Sequence, residues 1–169
     1  SNRDDQDRKN REAAEAERKR LVAERQKLDA DIAAAEKKLE SLREATHEDV
    51  GGILQLIEPF EQDGTLVKRS RTEIERDIGN YTIVEHDGVI FACAALYPYP
   101  EAHTGEMAAV TVSPQSQGQG DGEKILKRIE QRARAMGLES IFVLTTRTMH
   151  WFIKRGFVQV SPDWLPEAR

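Results

Sequence analysis

Three glycines fall within five residues, at Gly118, Gly120 and Gly122, between the apolar string 107–112 and an amphipathic run that opens at Glu123. A turn without Cβ atoms lets several backbone N–H groups converge on an anion, and a following helix adds the positive end of its dipole. Phosphate binding is the chemistry such a turn serves. No Lys-Ser or Lys-Thr pair follows the last glycine, so this is not a lysine-containing P-loop, and the spacing from Gly118 does not give the dinucleotide G-x-G-x-x-G fingerprint. A second grouping is Lys68, Arg69 and Arg71, the densest basic cluster outside the first forty residues. Paired guanidinium donors suit carboxylates; the other reading is a set of solvated surface charges.

Both groupings need a scaffold. A strand is expected over 107–112, where small and β-branched residues without clean alternation suggest burial on both faces. A helix over about 120–136 carries Ile125, Leu126, Ile129, Ala133 and Met136 on one face and stops at Gly137. Upstream, 81–85 and 89–96 read as a hairpin around Asp87-Gly88. Cys93, the single cysteine, lies in its second strand as a small core hydrophobe. Thr46-His-Glu-Asp49 is a capping-box pattern that starts a helix at His47, with Val50, Ile53, Leu54 and Ile57 inward and Pro59 as its limit. Gly51-Gly52 within it would suit a close approach by a backbone or a ligand. A short helix follows Ser70, a strand covers 138–144, another short helix 149–154, and a final strand begins at Phe157; before them all, 42–46 reads equally as a short strand or as the frayed end of the long helix. The order β-α-α-β-β-β-α-β-α-β argues an α/β (α+β) domain, a mixed sheet flanked by helices.

The 169 residues carry a net charge of −5, without the basic stripe that nucleic-acid binding leaves. No apolar stretch approaches the roughly 18–20 residues that cross a bilayer, and the start is polar, so a soluble cytoplasmic protein without membrane contact is expected. Charge is concentrated in the first quarter, where the absence of Gly and Pro from about 7 to 42 predicts one long helix. Ala14, Leu21, Leu28, Ala35 and Leu42 recur every seventh residue, Ile32 and Leu39 supply the partner position, and Arg18 and Arg25 interrupt it. Burying that stripe on a second copy makes a homo-oligomer the expected assembly. Two regions follow: a charged, coiled-coil-like helix over 1–42 and a globular domain over 43–169.

Gln117-x-x-Gly120-x-Gly122 after a Val-x-Pro strand end resembles the pyrophosphate loop of the GNAT-type N-acetyltransferases, and the element order is theirs too. Thr46-His-Glu-Asp-Val-Gly-Gly-Ile-Leu-Gln-Leu-Ile57, Leu66-Val-Lys-Arg-Ser-Arg71, Gly105-Glu-Met-Ala108, Phe142-Val-Leu-Thr-Thr-Arg147, His150-Trp-Phe152 and Leu165-Pro-Glu-Ala168 are similar to the acetyltransferase domain of bacterial N-acetylglutamate synthases. The resemblance spans about 42–169 and leaves out the first forty residues. It implies acetyl-coenzyme A as co-substrate, no metal, and L-glutamate as acceptor. Gln117, Gly118, Gly120, Gly122 and Glu123 would hold the pyrophosphate, and Val110, Thr111 and Val112 the pantetheine arm. It implies Glu106 as the base that frees the amine, Thr145 as a hydroxyl assisting the leaving sulfur, and Arg69, Arg71 and Arg147 on the glutamate carboxylates. Phe152 stands where many members of the superfamily carry a proton-donating tyrosine.

Two departures from the family pattern shape the expectation. The long helix stands where the family has an amino-acid-kinase-like domain that binds arginine, so arginine inhibition is not expected. The sequence also ends before the family's basic, tyrosine-containing last segment, which leaves an alternative: a helix-assembled module that binds coenzyme A without turnover.

Overall fold

The protein was analysed as a computed structural model, which describes residues 1–116 and 118–169 and, within helix α1, leaves the side chains of 37–41 aside. It forms two units, Ser1–Glu40 and Ser41–Arg169. The first is α1 (Asn2–Ser41), built of strong helix formers and laced with exposed pairs such as Arg18 to Glu15 at 2.6 Å and Arg20 to Glu24 at 2.9 Å. Such pairs contribute only about 0.2–0.5 kcal/mol each. Leu21, Val22, Leu28 and Ile32 are exposed along the helix; Leu39, assigned to the same seam, lies outside the described side chains.

The second unit is one five-stranded sheet in the order β1 (Leu42–Glu44), β2 (Tyr81–His86), β3 (Val89–Tyr99), β4 (Thr104–Val112), β5 (Ser140–Phe142). All neighbours are antiparallel except β4 and β5, which are parallel and joined through helix α4 (Asp121–Ala135). Helices α2 (Val50–Gln62) and α3 (Arg71–Asp77) cover one face, with Ile53, Ile57 and Ile74 packed on Tyr81, Ile83 and Cys93. Helix α4 and the short α5 (Met149–Ile153) cover the other, where Ile125, Ile129 and Phe152 meet Val84, Leu96 and Met107. Each fully buried aliphatic side chain contributes about 1.5–3 kcal/mol.

Local chemistry explains the boundaries. Asp87 and Gly88 both take positive φ, 51° and 80°, as a tight hairpin turn of the right twist requires. Ser70 Oγ accepts from Glu73 N at 3.1 Å and caps α3. Leu138 N donates to Ala133 O and Gly137 N to Arg134 O, both at 3.0 Å, with Gly137 left-handed at φ 77°; this is the Schellman stop expected for α4. The Thr46 pattern works through Asp49, whose Oδ2 accepts from Thr46 N at 2.7 Å and from Arg43 at 2.8 Å.

Several expectations need correction. Pro59 does not limit α2, which runs on to Gln62. The neighbour of Gly52 is neither a backbone nor a ligand: a Cβ there would lie 2.8 Å from Ile90 Cδ1, so the glycine lets α2 settle onto a β3 side chain. The strand expected over 138–144 pairs only at Ser140–Phe142. No strand forms from Phe157; residues 157–160 have no regular structure, because Val158 and Val160 find no ladder partner and stay exposed. β4 alternates buried with half-buried residues, more cleanly than its sequence suggests, although apolar clusters do lie on both faces of the sheet.

Candidate functional site

Strand β4 organises the site because its two ends differ. From Thr104 to Glu106 it pairs with Ser140, Ile141 and Phe142 of β5. Beyond Glu106 the ladder stops while β4 continues to Val112, so among the described residues 107–112 have no strand beside them on that edge. The other edge carries a bulge: the β3 register jumps from Cys93 opposite Thr111 to Ala95 opposite Ala108. Ala109 holds φ at 55°, a left-handed conformation that costs a non-glycine residue about 1–2 kcal/mol. Thr111 Oγ1 donates to Ala109 O at 3.0 Å and Cys93 Sγ does so at 3.5 Å. The extra residue reverses the alternation, so that Met107 and Val110, three apart, both pack toward α4.

Val110, Thr111 and Val112 therefore offer peptide groups on an open edge. The Thr111 hydroxyl is committed to the bulge, and Val112 lies against the N terminus of α4. Past Val112 the chain makes a tight turn at Pro114–Ser116 and reaches Gly118 and Gly120, both left-handed at φ 85° and 81°. Nothing lies within 4 Å of a Cβ at either position, so the space before these peptides is open to a ligand. The first α-helical amide bond of α4 runs from Lys124 N to Gly120 O at 3.1 Å; the amides before it point out of the helix end. Gln117, assigned to this cradle from the sequence, lies outside the described residues. Gly122 serves packing: a Cβ would lie 3.1 Å from Trp151 Cζ2.

Glu123 does not face the cradle as a free carboxylate. Its Oε1 accepts from Arg155 at 2.7 Å, and the Arg155 guanidinium lies 3.8 Å over the Trp151 ring. This clamp between α4 and α5 was not recognised in the sequence, although Trp151 and Arg155 stand one helical turn apart. Asp121 is buried beside the cradle with Oδ2 unpartnered among the described residues and Oδ1 3.5 Å from Lys124.

At the other end Glu106 is half-buried, with Tyr97 of β3 and Phe142 of β5 as its cross-strand neighbours. Its two oxygens accept from Arg169 at 2.8 and 3.2 Å. Tyr97 donates to Asp77 Oδ2 at 3.0 Å. Burial and that bond push the Tyr97 phenol up, while the Arg69 charge acts in the opposite direction. Tyr97 lies directly opposite Glu106 in the β3–β4 register, so the two share a face of the sheet. Burial pushes the Cys93 thiol up to about 12, which keeps it protonated and inert at neutral pH.

The loop holding Arg69 is fixed by Glu61, which accepts from Arg69 N at 2.6 Å, and the Arg69 guanidinium donates to Val67 O at 3.2 Å. Arg147 donates to Thr65 Oγ1 at 3.1 Å. Thr145 lies past the end of β5, its Oγ1 2.8 Å from Thr148 Oγ1 and accepting from Thr148 N at 3.1 Å. A cavity of about 1100 Å³ is lined by Leu66, Val67, Phe142, Thr145 and Trp164 among others. Glu106 and the glycine turn lie outside its lining. Arg71 is not brought to this region; it opens α3, is exposed, and stands 3.8 Å from Glu75. Among the described residues no group of three or more His, Cys, Asp or Glu side chains could hold a metal, and no helix is long and apolar enough to cross a membrane.

A mixed sheet that opens between parallel strands, with an amide cradle at the following helix, defines an α/β domain of the N-acetyltransferase type. The chain belongs to the acetyltransferase (GNAT) family, whose pattern it matches over residues 39–157. It is 66% identical over 131 residues to an amino-acid acetyltransferase of Ralstonia nicotianae, covering 78% of this chain and 29% of that protein. An amino-acid acetyltransferase of Azotobacter vinelandii is 54% identical over 134 residues, 79% of this chain and 31% of its own length. Among solved structures, N-acetylglutamate synthase from Neisseria gonorrhoeae complexed with coenzyme A and N-acetyl-glutamate superposes with a TM-score of 0.74 at 44% identity. That match covers 76% of this chain and 30% of the synthase. The chain therefore spans under a third of the length of these relatives.

Proposed function

We propose that residues 43–169 transfer the acetyl group of acetyl-coenzyme A to the α-amine of L-glutamate, in the cytoplasm, and that 1–42 form an assembly helix bringing copies of the chain together. The carrying observation is the position of Glu106, a half-buried carboxylate on the last β4 residue paired to β5, directly opposite Tyr97 on β3. The names of the relatives support the choice of reaction and acceptor.

The chain's groups fit the co-substrate where the structure leaves room: open space before Gly118 and Gly120, and an unpaired strand edge at 110–112. Acetyl-coenzyme A supplies a thioester whose carbonyl carbon is the electrophile. The amides of 118–123 hold its pyrophosphate, and the peptide groups of 110–112 align the arm, which makes the attack effectively intramolecular. Arg69 grips a carboxylate of the acceptor, with Arg147 as a second donor. Glu106 takes a proton from the acceptor ammonium, directly or through a water, and the freed lone pair forms the C–N bond as the C–S bond breaks. Thr145 Oγ1 donates toward the departing sulfur, which leaves as thiolate and takes up the second proton, shed by the acylated nitrogen as it becomes the amide.

Calorimetry with acetyl-coenzyme A, followed by thiol release on adding L-glutamate, L-aspartate or L-glutamine, tests the proposal. Binding with release selective for glutamate is expected. Binding without release would replace it by a second reading, a helix-assembled module that holds coenzyme A without turnover, which the full engagement of Glu106 by Arg169 favours. Absence of binding would sink both. The exposed Leu21, Leu28 and Ile32 support assembly through α1; an unchanged sedimentation mass after removing residues 1–40 would refute it.

A further inference from the structure

The segment 158–169 lies outside the strand ladders of the sheet domain. Its backbone hydrogen bonds are Trp164 N to Ser161 O, Leu165 N to Pro162 O and Arg169 N to Pro166 O, all internal to the segment among the described residues. Side chains secure it to the sheet instead. Trp164 meets Phe142 edge-on at 6.1 Å between ring centroids, and Arg169 clasps Glu106 with two guanidinium nitrogens. Trp164 nevertheless remains 47% exposed. A length of chain fastened this way opens at far lower cost than one stitched into a ladder.

The clasp bears directly on Glu106. The carboxylate is only 12% exposed and both its oxygens are engaged. A guanidinium carries donors and no acceptor, and here it sets a cation on the carboxylate where an incoming ammonium has to arrive.

We propose that Arg169 is an internal stand-in for the acceptor's ammonium, and that 158–169 is a displaceable strap with which the amine competes for Glu106. This rests on the reading of Glu106 as the site's base. The ligand class is defined by the contact: a compact organic cation, guanidinium or primary ammonium, able to donate to both carboxylate oxygens. The strap also contributes to the wall of the neighbouring cavity, through Trp164 and Leu165 among others.

The full chain and its Arg169→Ala variant are compared in two measurements. Methylguanidinium, titrated by calorimetry, should bind Arg169→Ala about tenfold more tightly than the unaltered chain, the scale expected of a partly exposed charged pair. Adding Glu106→Gln should abolish that gain. In thiol-release assays, Arg169→Ala should lower KM for the amine by a similar factor without lowering kcat. Arg169→Gln, which keeps a donor but no charge, should behave like Arg169→Ala. Equal methylguanidinium binding in the two chains would overturn the proposal. A raised KM with a lowered kcat would do so too, making Arg169 a residue that positions Glu106. If neither chain acetylates glutamate while the tenfold binding difference is found, the strap stands and the acetyl-transfer reading fails.

Discussion

The two ends of β4 are built from different materials. On one side of the Ala109 bulge the cradle consists of peptide groups: the open edge of 110–112, the left-handed Gly118 and Gly120, and the first amides of α4. On the other side the proposed acceptor end consists of side chains brought from distant places, with Glu106 on β4, Arg69 on the loop after α2 and Thr145 past β5. Peptide groups are the same in any sequence, so a site made of them depends on backbone shape and tolerates changes of side chain. A site made of side chains depends on each one. Changes at the acceptor end should therefore alter turnover and leave cofactor affinity alone, while changes at the cradle should do the reverse.

The largest effect is expected from Glu106→Gln. Loss of a general base costs about 10²–10⁴-fold, so kcat should fall at least a hundredfold while acetyl-coenzyme A affinity, measured by calorimetry, stays within about twofold. A comparable loss of affinity would show that the two ends are not separable. Arg69→Ala comes next. Charged hydrogen bonds to a carboxylate contribute about 1.5–3 kcal/mol, so kcat/KM for glutamate should drop roughly 10- to 100-fold. Arg69→Lys should recover only part of it, since a point charge does not replace a fork. Full activity in Arg69→Ala would remove this residue from the acceptor end.

The same difference governs what could be read in advance. The cradle was legible because a backbone site demands glycine at positions where φ must be positive, and that demand leaves a spacing in the sequence. Gly120 and Gly118 meet it, whereas Gly122, grouped with them by spacing, answers to Trp151 instead. The bulge on the β3 edge of β4 was not legible, since its left-handed residue is an alanine held by Thr111 and Cys93 rather than a glycine. At the acceptor end no spacing exists to read: Glu106 and Arg169 are 63 residues apart. Arg71 illustrates the cost, for it shares a basic string with Arg69 yet sits at the start of α3 facing Glu75. The strand expected from Phe157 failed for a related reason. Alternating Val158 and Val160 signal a strand only where another strand is available to pair with them.

Gly120→Ala tests the cradle from its own side. Holding alanine at φ 81° costs about 1–2 kcal/mol, so acetyl-coenzyme A affinity should fall about 5- to 30-fold, while kcat at saturating co-substrate changes little. A drop in kcat at saturation would mean that the turn also sets the position of the reacting carbonyl, and the two ends would then be coupled along β4.

Acid should remove both ends together, because both hang on one sheet. Arg43 donates to both Asp49 oxygens at 2.8 Å and also to Glu85, tying β1 to the start of α2 and to β2. The Arg43 guanidinium holds the Asp49 carboxyl below its usual range, with the Thr46 amide adding to the effect. A carboxyl depressed in the folded state stabilises the fold above its unfolded value near 4, and that contribution is lost as pH falls from about 4 through the lowered folded value. Asp49→Asn should thus lower stability at pH 7 by roughly 1–2 kcal/mol, by loss of the charged pair with Arg43, and should flatten the acid limb of a melting-temperature profile. Below pH 4 the unaltered chain should lose co-substrate binding and turnover in parallel as the sheet unfolds. Turnover that vanished at a pH where acetyl-coenzyme A still bound in full would instead locate the acid sensitivity at Glu106 and Arg169, and would separate the two ends of β4 more sharply than any substitution.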